Sequence, residues 1–188
     1  MRHVISALVM NEPGVLANVA GMFAARGFNI DSLVVGRTEN PDLSRMTIVV
    51  TADENTLEQV RKQLAKLVPI VKVRDFKDTS YIERDLALIT VGVSAEHRGE
   101  VIEMANLFRA KIVDVSKTSV IIEMSGTEEK IEAFIELMKP YGITELARTG
   151  VIAMARGMQI GKDTGPAAGT KQRKRSMDAP AAAALPPS

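Results

Sequence analysis

The chain has 188 residues, is 46% hydrophobic and 25% charged, lacks cysteine and carries a formal charge of +1. Those values suit one or two small water-soluble domains. They exclude a disulfide framework and thiolate chemistry, and no apolar run approaches the roughly 20 residues of a membrane span.

The opening residues Met1-Arg2-His3-Val4-Ile5 run straight into a strand pattern, so neither signal nor transit peptide is expected and the setting expected is cytoplasmic. The charge is uneven. After Gly157 there are five basic residues (Lys162, Lys171, Arg173, Lys174, Arg175) against Asp163 and Asp178. The remainder is mildly acidic and offers no general attraction for nucleic acid or membranes.

Residues 3–10 read as a mostly buried strand, broken by Asn11-Glu12-Pro13-Gly14. Val15, Leu16, Val19, Met22 and Phe23 then recur at helical spacing. Gly27 stands where a helix-closing residue belongs. Residues 28–36 read as a second strand, Glu39-Asn40-Pro41-Asp42 as a turn, and Met46, Ile48 and Val50 as a third strand. Asp53 is a capping residue for a helix faced by Leu57, Val60, Leu64 and Leu67, ended by Pro69. Val71 and Val73 alternate with Lys72 and Arg74 in a fourth strand.

This βαββαβ order repeats after a polar segment near Lys77 to Arg84. Leu86–Val93 reads as a strand, Val101, Ile102, Ala105 and Phe108 as a helical face, and 111–115 and 119–124 as strands. Thr127, followed by Glu128 and Glu129, is a plausible cap for a helix faced by Ile131, Phe134, Ile135 and Met138. Residues 143–154 supply the last strand, with a bend at Gly150. The expected class is therefore α+β, with two tandem ferredoxin-like units over 1–77 and 78–157. The segment 158–188 lacks apolar periodicity and is expected to be disordered. Each unit is about 75 residues, marginal for a lone core. A four-stranded sheet with both helices on one face leaves its other face or its edges needing cover, from the second unit or a second chain.

No catalytic constellation is legible. His3 and His97 lie in different units without companions at ligand spacing, so no metal site is expected. The carboxylates Glu54, Glu58, Glu128, Glu129 and Glu132 fall on polar helix faces, and no Walker or dinucleotide glycine pattern follows a strand. A βαββαβ sheet can stack RNA bases on strand aromatics. The third strand, Ser44-Arg45-Met46-Thr47-Ile48-Val49-Val50, has none. The run Lys171-Gln172-Arg173-Lys174-Arg175 reads as a solubilising tail.

One segment rises above this background. Asn11-Glu12-Pro13-Gly14-Val15-Leu16 joins the first strand to the first helix. Proline favours the first helical turn, and Gly14 leaves backbone amides open to a ligand. Helix N-termini favour anions because their first amides lack partners and the dipole is positive there. Asn11 adds an amide, and Val15, Leu16 and Ile30 an apolar wall. Anion donors beside an apolar wall suit a free apolar amino acid.

The segments Asn11–Leu16, Arg26-Gly27-Phe28-Asn29-Ile30-Asp31-Ser32-Leu33 and Leu43-Ser44-Arg45-Met46-Thr47-Ile48 resemble the opening signatures of acetohydroxyacid (acetolactate) synthase small subunits. Glu83-Arg84-Asp85-Leu86, 108–115, Gly126-Thr127 and Ala147-Arg148-Thr149-Gly150 continue the resemblance, which covers 1–157. It implies two ACT-type domains and a non-catalytic regulatory role within a dimer of small subunits. It also implies a large catalytic partner holding thiamine diphosphate, FAD and magnesium, with no cofactor in this chain. The partner condenses pyruvate with pyruvate or 2-oxobutyrate in branched-chain amino-acid synthesis. The small subunit activates it and confers feedback inhibition by a branched-chain amino acid, usually valine, with leucine or isoleucine as the alternatives. The resemblance assigns Asn11, Pro13, Gly14, Val15 and Leu16 of one chain, with Asn29 and Ile30 of the other, to the effector. The second unit's loop, Ser94-Ala95-Glu96-His97-Arg98-Gly99, departs from that motif. Two other readings stay open: a free-standing amino-acid sensor acting on another enzyme or transport system, and a small enzyme using the carboxylates.

Overall fold

A computed structural model describes residues 1–157. The tail's expected disorder and its basic run lie outside the described residues.

The first unit runs β1 (Arg2–Met10), α1 (Val15–Ala24), β2 (Ser32–Arg37), β3 (Leu43–Thr51), α2 (Glu54–Leu64) and β4 (Ile70–Asp75). Its antiparallel sheet has the order β2-β3-β1-β4. Side chains alternate across a strand, so Ile5, Ala7 and Val9 of β1 turn to one face with Met46, Ile48 and Val50 of β3. There they meet Val19 and Phe23 of α1 and Val60 and Leu64 of α2 in a closed core.

Helix ends follow local chemistry. The Asp53 carboxylate accepts the Thr56 N–H at 2.7 Å and starts α2. Gly27, at φ +67°, closes the turn after α1: Phe28 N–H reaches Phe23 C=O and Gly27 N–H reaches Ala24 C=O. The edge contact of the Phe23 and Phe28 rings completes that closure. Residues 28–31 are consequently not a strand. Phe28 N–H is drawn back to the helix end, and Asp31 N–H is the first shown to reach β3, at Val49 C=O. Likewise Pro69 does not end α2. The helix stops at Leu64, and Pro69 C=O accepts the Met10 N–H ahead of β4.

The second unit runs β5 (Tyr81–Gly92), α3 (Arg98–Leu107), β6 (Lys111–Val115), β7 (Ser119–Gly126), α4 (Glu128–Met138), a short 3-10 turn, β8 (Ile143–Arg148) and β9 (Ile152–Ala155). Thr127 caps α4 by accepting the Lys130 N–H at 3.4 Å. The sheet order β6-β7-β5-β8 repeats that of the first unit, and Ile89, Val101, Ile122, Ile131 and Phe134 fill its core. The fold is thus the expected α+β pair of βαββαβ units.

Two expectations for the second unit need correction as well. Tyr81–Arg84 is not a polar linker but the start of a 12-residue strand, and 143–154 is two strands. Both differences have one cause. At Gly150, φ +85°, the chain leaves the second sheet, and β9 pairs with Tyr81–Arg84 instead. The ribbon so formed lies against the first unit's outer sheet face, where Val4, Val49, Phe76, Val151 and Ala153 make a third core. Part of the face that needed cover is therefore covered by the second unit of the same chain.

Candidate functional site

Gly14 is the N-cap of α1, with φ +85° and ψ −11°. Only a residue without Cβ adopts that backbone at little cost. Pro13 therefore precedes the cap rather than occupying the first helical turn, and helix geometry begins at Val15. The first full helical bond runs from Asn18 N–H to Gly14 C=O at 2.9 Å, so the Leu16 and Ala17 amides lie ahead of it. Among the described α-helices, α1 alone has neither a side-chain cap nor an acidic residue in its first turn. The partial positive charge of its end is offset neither by a side-chain cap nor by a first-turn carboxylate. A Cβ built on Gly14 would meet nothing within 4 Å, so the approach to these amides is open.

The loop is held by β1 behind it and by the β2–β3 turn beside it. Asn11 N–H donates to Asp42 C=O at 2.8 Å, and its side-chain amide donates to Pro41 C=O at 2.9 Å. Ser44 hydroxyl donates to Asn11 Oδ1 at 3.1 Å. Asn11 thus spends its side chain on locating the loop. Val15 is buried in the first core, whereas Leu16 is 46% exposed and forms the apolar rim. Glu12, Pro13 and Gly14 are exposed.

Asn29 and Ile30 lie at the other end of α1, in the segment entering β2. Asn29 donates to Asp31 at 2.8 Å, and Ile30 packs partly on the first core. Among the described residues no hydrogen bond joins either to the loop 11–16 within this chain. The structure therefore brings Asn11, Pro13, Gly14, Val15 and Leu16 together and leaves Asn29 and Ile30 apart from them.

The corresponding loop of the second unit has different chemistry. A cavity of about 430 Å3 there is lined by Ser94, His97, Glu100 and Tyr141. Tyr141 hydroxyl donates to Glu100 at 3.2 Å, and His97 Nδ1 lies 3.4 Å from the same carboxylate. Desolvation, reinforced by Glu100, pushes the Tyr141 hydroxyl above its ordinary value. A carboxylate in the first turn of α3 opposes a second carboxylate.

A contact that sequence reasoning did not find ties the two units together. Asp85, buried in β5, accepts from Arg148 Nε at 2.9 Å, Thr149 hydroxyl at 3.1 Å and Gly150 N–H at 3.0 Å. That fixes the turn between β8 and β9. The turn sits on β2, where Val151 N–H donates to Ser32 Oγ at 3.3 Å. The signal was the buried-strand position of an Asp within Glu83-Arg84-Asp85-Leu86, but its partners lie more than 60 residues away. Among the described residues no group of three or more potential ligands could hold a metal, and no helix is long and apolar enough to cross a membrane.

Comparison with known proteins agrees on both halves. Residues 5–72 match the family described as AHAS small subunit-like ACT domain, and residues 84–157 match the small subunit of acetolactate synthase. A probable acetolactate synthase small subunit of Archaeoglobus fulgidus is 59% identical over 157 residues, covering 84% of this chain and 98% of the relative. The acetolactate synthase small subunit of Mycolicibacterium smegmatis is 51% identical, covering 82% of this chain and 91% of the relative. The crystal structure of the acetolactate synthase small subunit from Thermotoga maritima superposes with a TM-score of 0.77 at 45% identity, covering 84% of this chain and 98% of that one.

Proposed function

The chain belongs to the family of acetolactate synthase small subunits, and on that premise we propose that it activates a large catalytic subunit and makes it sensitive to a branched-chain amino acid, valine first among the three. In this reading the partner holds thiamine diphosphate, FAD and magnesium and performs the condensation. This chain supplies the effector site and the contacts that transmit occupancy.

The observation that carries the proposal is the start of α1. It is uncapped, without an acidic residue in its first turn, open above Gly14, and rimmed by Leu16. An amino-acid carboxylate would take the Leu16 and Ala17 amides, with the helix end favouring its charge. A branched aliphatic side chain would lie against Leu16. The ammonium group needs acceptors, and the Asn11 amide offers it none within one chain. Asn11 Oδ1 already accepts from Ser44, and Asn29 and Ile30 stand apart. Placing Asn29 and Ile30 of a second chain over the loop supplies an amide oxygen and a further apolar wall, which supports a site shared across a dimer.

Reconstitution with a purified acetolactate synthase catalytic subunit tests this. Acetolactate formation should rise on addition of the chain and then fall as valine is titrated, with leucine and isoleucine weaker. The isolated chain, given pyruvate, thiamine diphosphate and magnesium, should form no acetolactate. A chain that neither raises the partner's activity nor responds to any of the three amino acids would overturn the proposal.

A further inference from the structure

The two units can be compared residue by residue at the loop that leaves the first strand of each. Asn11 follows the last residue of β1, and Val93 follows the last residue of β5. Asn11 N–H donates to Asp42 C=O at 2.8 Å, and Val93 N–H donates to Thr118 C=O at 2.9 Å. Two residues beyond each carbonyl the register again agrees: Ser44 opposes Val9 in the first unit, and Val120 opposes Val91 in the second. The places held by Asn11 and Ser44 in the first unit are thus held by Val93 and Val120 in the second. Both valines are buried in the second core. The same junction is built there without a polar group, so the fold does not require one at this point.

The first unit nevertheless spends two polar side chains on it. Ser44 belongs to the row of β3 that turns to the first core, ahead of Met46, Ile48 and Val50, and it is only 5% exposed. A hydroxyl withdrawn from water needs a partner, and this one donates to Asn11 Oδ1 at 3.1 Å. Chemistry fixes the direction. Pro41 C=O can only accept, so the amide nitrogen of Asn11 must face it, at 2.9 Å, which leaves Oδ1 for Ser44. Asn11 is thereby held at three points: its backbone N–H and both ends of its side-chain amide. The residues after it are held far less. Among the described residues, the bonds to Glu12, Pro13 and Gly14 are Val15 N–H to Glu12 C=O at 3.5 Å and Asn18 N–H to Gly14 C=O at 2.9 Å. Asn11 is the last firm anchor before the left-handed backbone of Gly14 and the open amides of Leu16 and Ala17.

We propose that Ser44 is a positioning residue for the effector: acting through Asn11, it fixes the loop 11–16 so that the start of α1 is already arranged for an amino-acid carboxylate. The proposal rests on the functional reading above, which puts the effector at that helix end. Ser44 is buried and does not touch the ligand in this reading. Its contribution is to lower the ordering cost that binding would otherwise carry. The second unit supplies the contrast within one molecule. Its loop lacks the Asn-Glu-Pro-Gly motif, and the brace is absent with it, although the strand junction is the same. A polar pair present where the motif is present, and replaced by two valines where it is not, serves the loop and not the sheet.

The experiment titrates valine into the full chain by calorimetry and follows the melting of each variant by circular dichroism. The variants are Ser44→Ala, Ser44→Thr, Asn11→Val and the pair Asn11→Val/Ser44→Val, which copies the second unit. Ser44→Ala should weaken valine binding about fivefold, as loss of one hydrogen bond does, and Ser44→Thr, which keeps the hydroxyl, should stay within about twofold of wild type. The valine pair should melt close to wild type, because apolar groups replace both partners, and should bind valine no more weakly than Asn11→Val alone. That last equality is the signature of a residue acting through Asn11, and the pair keeps the test decisive if Ser44→Ala does not fold. Wild-type affinity in folded Ser44→Ala or in the valine pair overturns the proposal, as does a Ser44→Thr that binds no better than Ser44→Ala. A further loss in the pair beyond Asn11→Val would give Ser44 a role independent of Asn11, and a pair that melts far below wild type would make the brace a requirement of the fold; either overturns it. Each of these outcomes leaves the functional reading standing. A wild type that binds none of the three branched-chain amino acids overturns that reading and the role of Ser44 with it.

Discussion

Gly14 and Gly150 share a φ of +85° and differ in what surrounds them, so one substitution made at both separates two energies. A Cβ on Gly14 meets nothing within 4 Å. Gly14→Ala should therefore cost only left-handed backbone strain, about 1–2 kcal/mol. A Cβ on Gly150 would lie 2.6 Å from Ser32 Oγ and 2.9 Å from Val34 Cγ2. Neither neighbour yields cheaply. Ser32 Oγ accepts the Val151 N–H, and rotating it away abandons that bond at about 1 kcal/mol. Val34 belongs to a strand paired residue by residue with β3. Overpacking of this kind costs about 1–3 kcal/mol, so Gly150→Ala should lose about 2–5 kcal/mol in all. Urea denaturation of both variants, followed by circular dichroism, measures the difference. Ser32→Ala in the Gly150→Ala background removes the closest contact and should recover part of the loss, a coupling that a double-mutant cycle reads directly. If Gly150→Ala proves no more costly than Gly14→Ala, the turn does not press on β2, and the packed joint between the units is wrong.

Three further outcomes are expected. Gly14→Asp should keep the fold, since Asp is among the residues that visit left-handed backbone and the space is open, yet lose valine binding, because its carboxylate competes for amides worth about 1.5–3 kcal/mol per charge-assisted bond; calorimetry giving unchanged valine affinity would refute the site. Asp85→Asn should destabilise by about 3 kcal/mol, the lower end for a broken buried pair because Arg148 keeps its contact with Glu132, as a melting curve would register. The Thr56 N–H holds the Asp53 carboxyl below its ordinary value of 3.8, so the folded group is the stronger acid. Its stabilising effect should be complete above that value and vanish as pH falls through the lower folded one, so wild type and Asp53→Ala should converge in acid denaturation only below about pH 4.

What the sequence disclosed was local, and what it withheld was remote. Asp53, Thr127 and Gly27 act within a few residues of themselves, so cap chemistry named them correctly. The core positions of α1, α2 and α4 followed from helical spacing. Tyr81–Arg84 looked like a polar linker because its strand partner, Ile152–Ala155, is about 70 residues away and half of the ribbon faces solvent. The loop 11–16 was legible as a motif, but the role of Asn11 was not. Its amide is committed to Pro41 and Ser44, a fact visible only once β2 and β3 fold back beside it.

The joint around Asp85 also bears on why two similar units are joined in one chain. A lone four-stranded sheet with helices on one side exposes its other face. Here β5 extends past its own sheet, and Gly150 redirects the chain so that β9 can accompany it onto the first unit. The contact falls at Ser32, the first residue of β2, two positions after Ile30. A ligand that ordered Asn29 and Ile30 would thus act on a strand whose first residue holds Val151 of the second unit. From there Gly150 and Thr149 lead to Asp85 and Arg148, and Arg148 to Glu132 on α4. The units return a second contact through Arg2, which pairs with Glu83 at 3.1 Å and Glu128 at 2.7 Å. On the proposed reading, with the effector bound at the start of α1, the second unit needs no effector of its own. Its loop at His97 and Glu100 is free to diverge, because its link to the first site is a packed joint and not a repeated ligand.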